Sequence, residues 1–170
     1  MNIDALKYMI EMLKGIKESG KKFDLREWVI MDKEQPVCGT SCCAMGYAAL
    51  DPVFQLAGLN MFVVNLTDKP EDRKPILLKT TKDFNKVARK YINPYLTYDF
   101  TYKDGNTISG FEAAVQLFDF EHEETAEILF LFSSYDSPGN GSIDQVIERI
   151  ELLIEKGEEN FFNDYYGYND

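Results

Sequence analysis

Ser142-Ile143-Asp144-Gln145-Val146-Ile147-Glu148-Arg149-Ile150-Glu151-Leu152-Leu153-Ile154-Glu155-Lys156-Gly157 carries the clearest helix in the chain. Ser142 and Gln145 have the spacing of a capping box, in which each side chain meets the other residue's backbone N–H. Ile143, Val146, Ile147, Ile150 and Ile154 recur at helical intervals, and Gly157 supplies the stop. The rest of the last third reads the same way. Phe111, Ala114, Val115 and Phe118 mark one helix and Thr125 to Phe132 a second, joined by the tight connection Asp119-Phe120-Glu121-His122. Ser137-Pro138-Gly139-Asn140-Gly141 is a strong loop signal. At the other end of the chain, Ile3, Leu6, Met9, Ile10, Leu13 and Ile16 predict an amphipathic helix from Asp4 to Ser19, closed by Gly20.

The middle is less regular. Phe23-Asp24-Leu25-Arg26-Glu27-Trp28 holds the only Trp and is expected to cover one end of the core. Thr40 or Ser41 suits the N-cap of a short, buried helix of small residues that ends before Pro52. Met61 to Leu66 and Pro75 to Leu78 have strand character. Thr80 or Thr81 caps a predicted helix to about Ile92, with Lys82, Lys86, Arg89 and Lys90 on its basic face. Tyr95 to Tyr102, followed by Asp104-Gly105-Asn106, reads as a β-hairpin. These elements predict an α+β, α-rich single domain of about five helices around a small sheet or hairpin. The domain spans residues 1–160, with 53–105 open to reading as an insert, and 161–170 forms an aromatic, acidic tail that docks on the fold or binds something else.

Composition bounds the class. The 170 residues are 45% apolar and 14% aromatic, enough for a real core and too apolar for a disordered chain. No apolar run approaches the roughly 18 residues of a membrane span. Met1-Asn2-Ile3-Asp4 lacks the basic stretch and apolar block of a secretory signal, so a cytoplasmic protein is expected. The net charge of −11 is unevenly spread: residues 111–170 hold 2 basic and 15 acidic residues, a net of −13, whereas residues 1–110 carry +2. Such a region repels a phosphate backbone and attracts basic surfaces. A solvated acidic surface that serves only solubility is the plainer alternative.

No catalytic or metal motif stands clear. Cys38, Cys42 and Cys43 lie near a predicted helix start, where a thiol gains thiolate character, but the sole His, His122, sits in a distant Glu-rich turn. Paired short Cys spacings of a zinc site are missing, and small buried hydrophobes is the leading reading of the three thiols. An odd Cys count argues against a Cys38–Cys43 disulfide. Glu121, Glu123, Glu124 and Glu127 crowd a helix start, where the helix dipole alone favours acids. Those same acids exclude a DNA-reading second helix there. Cys38, Gly39, Thr40, Cys43 and Gly46 are read as a structural staple: Gly39 for a turn, Thr40 as cap, the remainder for tight packing.

Phe23-Asp24-Leu25-x-x-Trp28 and Cys38-Gly39-Thr40-x-x-Cys43-x-x-Gly46-Tyr47-Ala48 together resemble a family of small bacteriophage and bacterial proteins. Its members carry Phe-Asp-Met-x-x-Trp and Cys-Gly-Thr-x-x-Cys-x-Ala-Gly-Trp-Ala elements. Ala114-Val115-Gln116-Leu117-Phe118-Asp119-Phe120 and Leu129-Phe130 are similar to a later part of that family. The chain departs in Tyr47, Met45 and the extra Cys42, and residues 53–105 have no counterpart. The resemblance implies a phage-like origin and an α-rich fold, and supplies no mechanism.

The leading expectation is a non-enzymatic, acidic interaction protein without metal or cofactor, one that inhibits a host defence or nucleic-acid-handling protein by occupying its basic surface. No direct contact with nucleic acid or membrane is expected. The partner-binding residues are Glu121, Glu123, Glu124, Glu127, Glu148, Glu151, Glu155, Glu158, Glu159, Tyr165 and Tyr166. Glu148, Glu151 and Glu155 fall at helical spacings and share one face. The alternative is a protein that sequesters a nucleotide signal, with an anion site built from Thr40, Lys82, Lys86, Arg89 and Lys90. A third reading is a cysteine-dependent enzyme, and a fourth is a virion or scaffold component that forms a stable homo-oligomer.

Overall fold

Helix α1 (Ile3–Glu18) starts where the Asn2 side chain accepts the Ala5 N–H at 3.1 Å, and one stripe of it, Leu6, Met9, Ile10, Leu13 and Ile16, is buried. The structure is a computed structural model that describes residues 1–21, 23, 29–31, 40–42, 44–65, 69, 73–80, 82–83, 86–87, 96–103, 106–130 and 142–166. Seven helices fall among these residues. After α1 come the strands β1 (Val29–Met31) and β2 (Thr40–Cys42), then α2 (Ala44–Leu50) and α3 (Pro52–Leu56). The strands β3 (Leu59–Asn65), β4 (Ile76–Leu78), β5 (Leu96–Tyr102) and β6 (Thr107–Ile108) follow. The chain closes with α4 (Gly110–Phe118), α5 (Glu123–Phe130), α6 (Ile143–Lys156) and α7 (Glu158–Tyr166).

The main sheet is antiparallel throughout, in the order β4-β3-β5-β6. Leu59, Met61 and Val63 of β3 stand opposite Tyr102, Phe100 and Tyr98 of β5, and Met61 also faces Leu78 of β4. Period-two alternation therefore puts one apolar face of the sheet against α2, α3 and α4. Gly58 enters β3 with φ +109, and a Cβ there would come within 3.1 Å of the Lys103 backbone, so only glycine fits this close approach. On the other side of the core, α1 packs along α6 and touches α4. Lys17 at the end of α1 reaches Asp144 at the start of α6, with Nζ to oxygen distances of 2.6 and 2.8 Å.

One core joins sheet and helices. Phe54, Phe100, Phe118, Phe130 and Phe161 are all fully buried within it. Phe118 is the junction: its ring meets Phe54 edge-on at 6.1 Å and tilts against Phe120 at 5.5 Å and Phe130 at 5.8 Å. Residues 53–105 supply three of the four strands and contribute Phe54, Leu59, Met61, Val63, Leu78 and Phe100 to this core, so they are integral to it. Phe161, the buried apolar residue among the described side chains of α7, brings the start of the acidic tail onto the fold.

The observed fold is the expected α+β, helix-rich class. Ala44 to Ala49 are buried as predicted for the helix of small residues. Thr40 and Ser41 do not cap that helix; they lie in β2, paired with Met31 and Ile30. The β-branched, apolar run Val29-Ile30-Met31 offers ladder hydrogen bonds, and these take precedence over the local cap chemistry. Cys38, Gly39 and Cys43 of the staple lie outside the described residues, as do residues 24–28 and 104–105.

Replacing Phe118 by Ala removes a fully buried ring with three aromatic neighbours and is expected to cost about 3–5 kcal/mol. Urea unfolding measures it, with Leu152→Ala, at a 39% exposed position, as a control expected to stay within about 0.5 kcal/mol.

Candidate functional site

The acidic face begins on α6. Its capping box forms as the sequence predicts, with the Gln145 N–H donating to Ser142 Oγ at 3.3 Å and the Ser142 N–H to Gln145 Oε1 at 3.1 Å. Ile143, Val146, Ile147, Ile150 and Leu153 face the core. At 100° per residue, Asp144, Glu148, Glu151 and Glu155 then occupy an arc of about 60° on the solvent side. All four are exposed. Lys17 neutralises Asp144, whereas Glu148, Glu151 and Glu155 enter no ion pair among the described residues. Leu152, 39% exposed, lies beside Glu148 and Glu155 on this surface.

A second group of carboxylates joins this stripe through Glu158. Its side chain accepts the Glu121 N–H at 3.0 Å, the His122 N–H at 3.1 Å and the Thr125 hydroxyl at 2.8 Å. The turn before α5 is thereby held against the α6–α7 junction, bringing exposed Glu121, Glu123 and Glu124 to the junction that carries exposed Glu155 and Glu159. Glu127 is half-buried on α5. His122 packs its ring against Phe162 at 5.8 Å.

Glu158 itself corrects the sequence expectation. The sequence places it among the partner-binding acids, but at 9% exposure it is an internal group. It begins α7 and accepts the N–H groups at the entry to α5, so two helix N-termini favour its negative charge. Tyr165 and Tyr166 lie at the end of α7, and their side chains are outside the described residues.

The basic candidates are less concentrated. Lys82 and Lys86 are exposed at helical positions with i, i+4 spacing, and Val87 beside them is buried. Arg89 and Lys90 lie outside the described residues, and Thr40 belongs to β2 and not to a helix start. Asp83, between the two lysines, instead gathers the preceding backbone. It accepts the Lys79 N–H at 3.0 Å, the Thr80 N–H at 2.8 Å and the Thr80 hydroxyl at 3.0 Å. Burial pushes its carboxyl pKa up, but these hydrogen bonds and the Lys86 charge outweigh burial and hold it below the usual value.

The structure also shows an open cleft of about 520 Å³ that no motif announces. Met12 and Ile16 of α1, Tyr47 and Leu50 of α2, and Pro52 of α3 form its apolar lining, with Lys21, Asp51, Gln55, Lys79 and Thr80 as its polar groups. Three separate stretches of the chain, 12–21, 47–55 and 79–80, supply these residues, which is why spacing along the chain does not reveal them. The signal within reach of sequence reading was Asp51-Pro52, an N-cap followed by proline at the start of a helix.

Among the described residues, no group of three or more His, Cys, Asp or Glu is arranged to hold a metal ion, and no helix is long and apolar enough to cross a membrane. No protein-family model matches this chain, and neither does any curated protein or solved structure.

Two measurements test these assignments. Glu158→Ala strands two N–H groups and a buried hydroxyl and is expected to cost about 3 kcal/mol in urea unfolding, Glu158→Gln about 1–2 kcal/mol, and Glu155→Gln less than about 0.5 kcal/mol. Equal effects at positions 155 and 158 would contradict the internal role. For Asp83, the lowered carboxyl contributes stability above its unfolded value near 4, and that contribution is lost as pH falls through the folded value. The Tm difference between the native chain and Asp83→Asn should therefore shrink from pH 6 towards about pH 2.

Proposed function

We propose that this chain is a non-enzymatic interaction protein whose acidic face occupies a basic surface of a nucleic-acid-handling or defence protein. The setting is a phage-like product, the origin that the motif resemblance implies, and its action on a host protein is read from the acidic charge alone. The observation that carries the reading is the stripe of Glu148, Glu151 and Glu155, exposed and without ion pairs among the described residues, beside a partly exposed Leu152. Acidic faces that serve only solubility are ordinarily interspersed with Lys and Arg. Residues 111–170 contain only Arg149 and Lys156, and Lys156 is engaged by Asp164. The negative field is thus left open towards solvent.

Such a face acts at two ranges. Beyond contact it steers a cationic partner into encounter, an effect that fades over a Debye length of about 8 Å at physiological salt. At contact, carboxylates take the Lys and Arg side chains that otherwise hold phosphates, and Leu152 supplies apolar contact area. Glu121, Glu123, Glu124, Glu155 and Glu159 extend the face around the α6–α7 junction. Glu123 and Glu124 also complement the dipole at the start of α5, so their removal would affect that helix as well. The α6 stripe is free of this double role and is the place to test the idea.

The test is capture from bacterial lysate on the immobilised native chain and on Glu148→Gln/Glu151→Gln/Glu155→Gln, with stepwise salt elution. A basic protein held by the native chain, released at moderate salt, lost on the triple variant and unable to bind nucleic acid while captured is the expected result. Equal capture on both baits, or no stoichiometric partner on either, overturns the reading.

A further inference from the structure

We infer that the cleft between α1, α2, α3 and the end of β4 is a binding site for a small organic anion: an apolar or aromatic body carrying one terminal phosphate or carboxylate. This site shares no residue with the acidic face and does not depend on the partner reading. Its volume, about 520 Å³, falls within the range of small-molecule sites, and its make-up has their usual form, an apolar lining with a few placed polar groups. Met12, Ile16, Tyr47, Leu50 and Pro52 offer the body an apolar surface.

The polar groups are held in advance of any ligand. Asp51 accepts the Val53 N–H at 2.8 Å and the Tyr8 hydroxyl at 3.2 Å from each carboxylate oxygen. Tyr8 is a committed donor in this pair, because burial, then the Asp51 charge and its hydrogen bond push the phenol pKa up. Gln55 donates both amide hydrogens, to the Ala49 and Lys79 carbonyls, at 2.9 Å each, which ties α3 to the chain leaving β4. Its carbonyl oxygen stays available as an acceptor. Asp83 holds the Lys79–Thr80 backbone by accepting both N–H groups. The floor is thus fixed by hydrogen bonds that the fold itself completes.

The charges point to an anion. Lys21 and Lys79 line the cleft, both are exposed, and neither ammonium enters an ion pair among the described residues. Asp51 is the one acid in the lining, so the cleft is locally cationic in a chain of net charge −11. Two lysines beside an apolar wall match a molecule with an anionic head and an apolar body, and Asp51 or the Gln55 carbonyl takes a hydrogen-bond donor on that body if it has one. An aromatic body with a phosphate and an aliphatic body with a carboxylate share this chemistry.

Calorimetric titration of the full chain with adenosine monophosphate, adenosine and decanoate tests the site and separates the two sources. Saturable binding of adenosine monophosphate, with adenosine about tenfold weaker, assigns an aromatic phosphate; binding of decanoate alone assigns an aliphatic carboxylate. In either case Lys21→Glu/Lys79→Glu, at exposed positions, should weaken binding at least tenfold, Met12→Trp should weaken it by filling the cleft, and Glu148→Gln/Glu151→Gln/Glu155→Gln should leave it unchanged. Amide shifts on titration should centre on Lys21, Leu50, Gln55 and Thr80. Absence of binding by both anions at millimolar concentration, or binding that the double lysine variant leaves unchanged, overturns the inference.

Discussion

The Glu158 carboxylate joins two turns that lie far apart in the chain, and the arrangement of the last three helices depends on it. From the first position of α7 it accepts hydrogen bonds from Glu121, His122 and Thr125, at the entry to α5. Without such an acceptor the backbone donors at the start of a helix have no partner, and burying them unpaired is costly. The carboxylate solves this for α5 while standing where the dipole of α7 also favours it. A region of net charge −13 thus places one of its acids inside, where two helix starts offset the charge, and leaves Glu121, Glu123, Glu124, Glu148, Glu151, Glu155 and Glu159 exposed. Phe161, one turn further along α7, fixes the same junction from the apolar side.

What was legible in the sequence had a local cause. The helices α1 and α6 are announced by apolar spacing and by glycine after the end, and α6 also by the Ser142–Gln145 capping box, all within one segment. The hairpin strand β5 is announced by alternation, and α2 by its small residues. Failures occur where a distant partner decides. Thr40 is a good cap by itself, yet Val29 to Met31 pair with it as a strand. Glu158 and Glu159 are indistinguishable in the sequence; only the fold puts the first beside the Glu121 and His122 N–H groups and the second in solvent. The cleft illustrates the same rule, since Lys21, Asp51 and Lys79 meet only after α1, α2 and β4 have packed.

The uneven charge of the chain becomes a spatial division with α1 at its boundary. One side of α1 packs along α6, whose far surface carries the acidic stripe, while Met12 and Ile16 line the cleft. The Lys17–Asp144 pair sits where the basic and acidic parts of the sequence meet, and it removes Asp144 from a stripe that would otherwise hold four free acids. An exposed pair of this kind adds little stability. Its larger effect is on the field, which it trims at the edge nearest α1.

That division imposes opposite demands on the two faces. The acidic face gains from the whole negative charge of the chain, because a cationic partner feels the summed field before contact. An anion approaching the cleft feels the same field as repulsion and is held only by groups at contact range, where Lys21 and Lys79 are close and the carboxylates of α6 are on another surface. Salt screens the distant term more than the near one. Rising ionic strength therefore weakens the encounter of the acidic face with a basic partner more than it weakens the cleft's hold on an anion. This difference follows from where the fold has put the charges and not from how many there are.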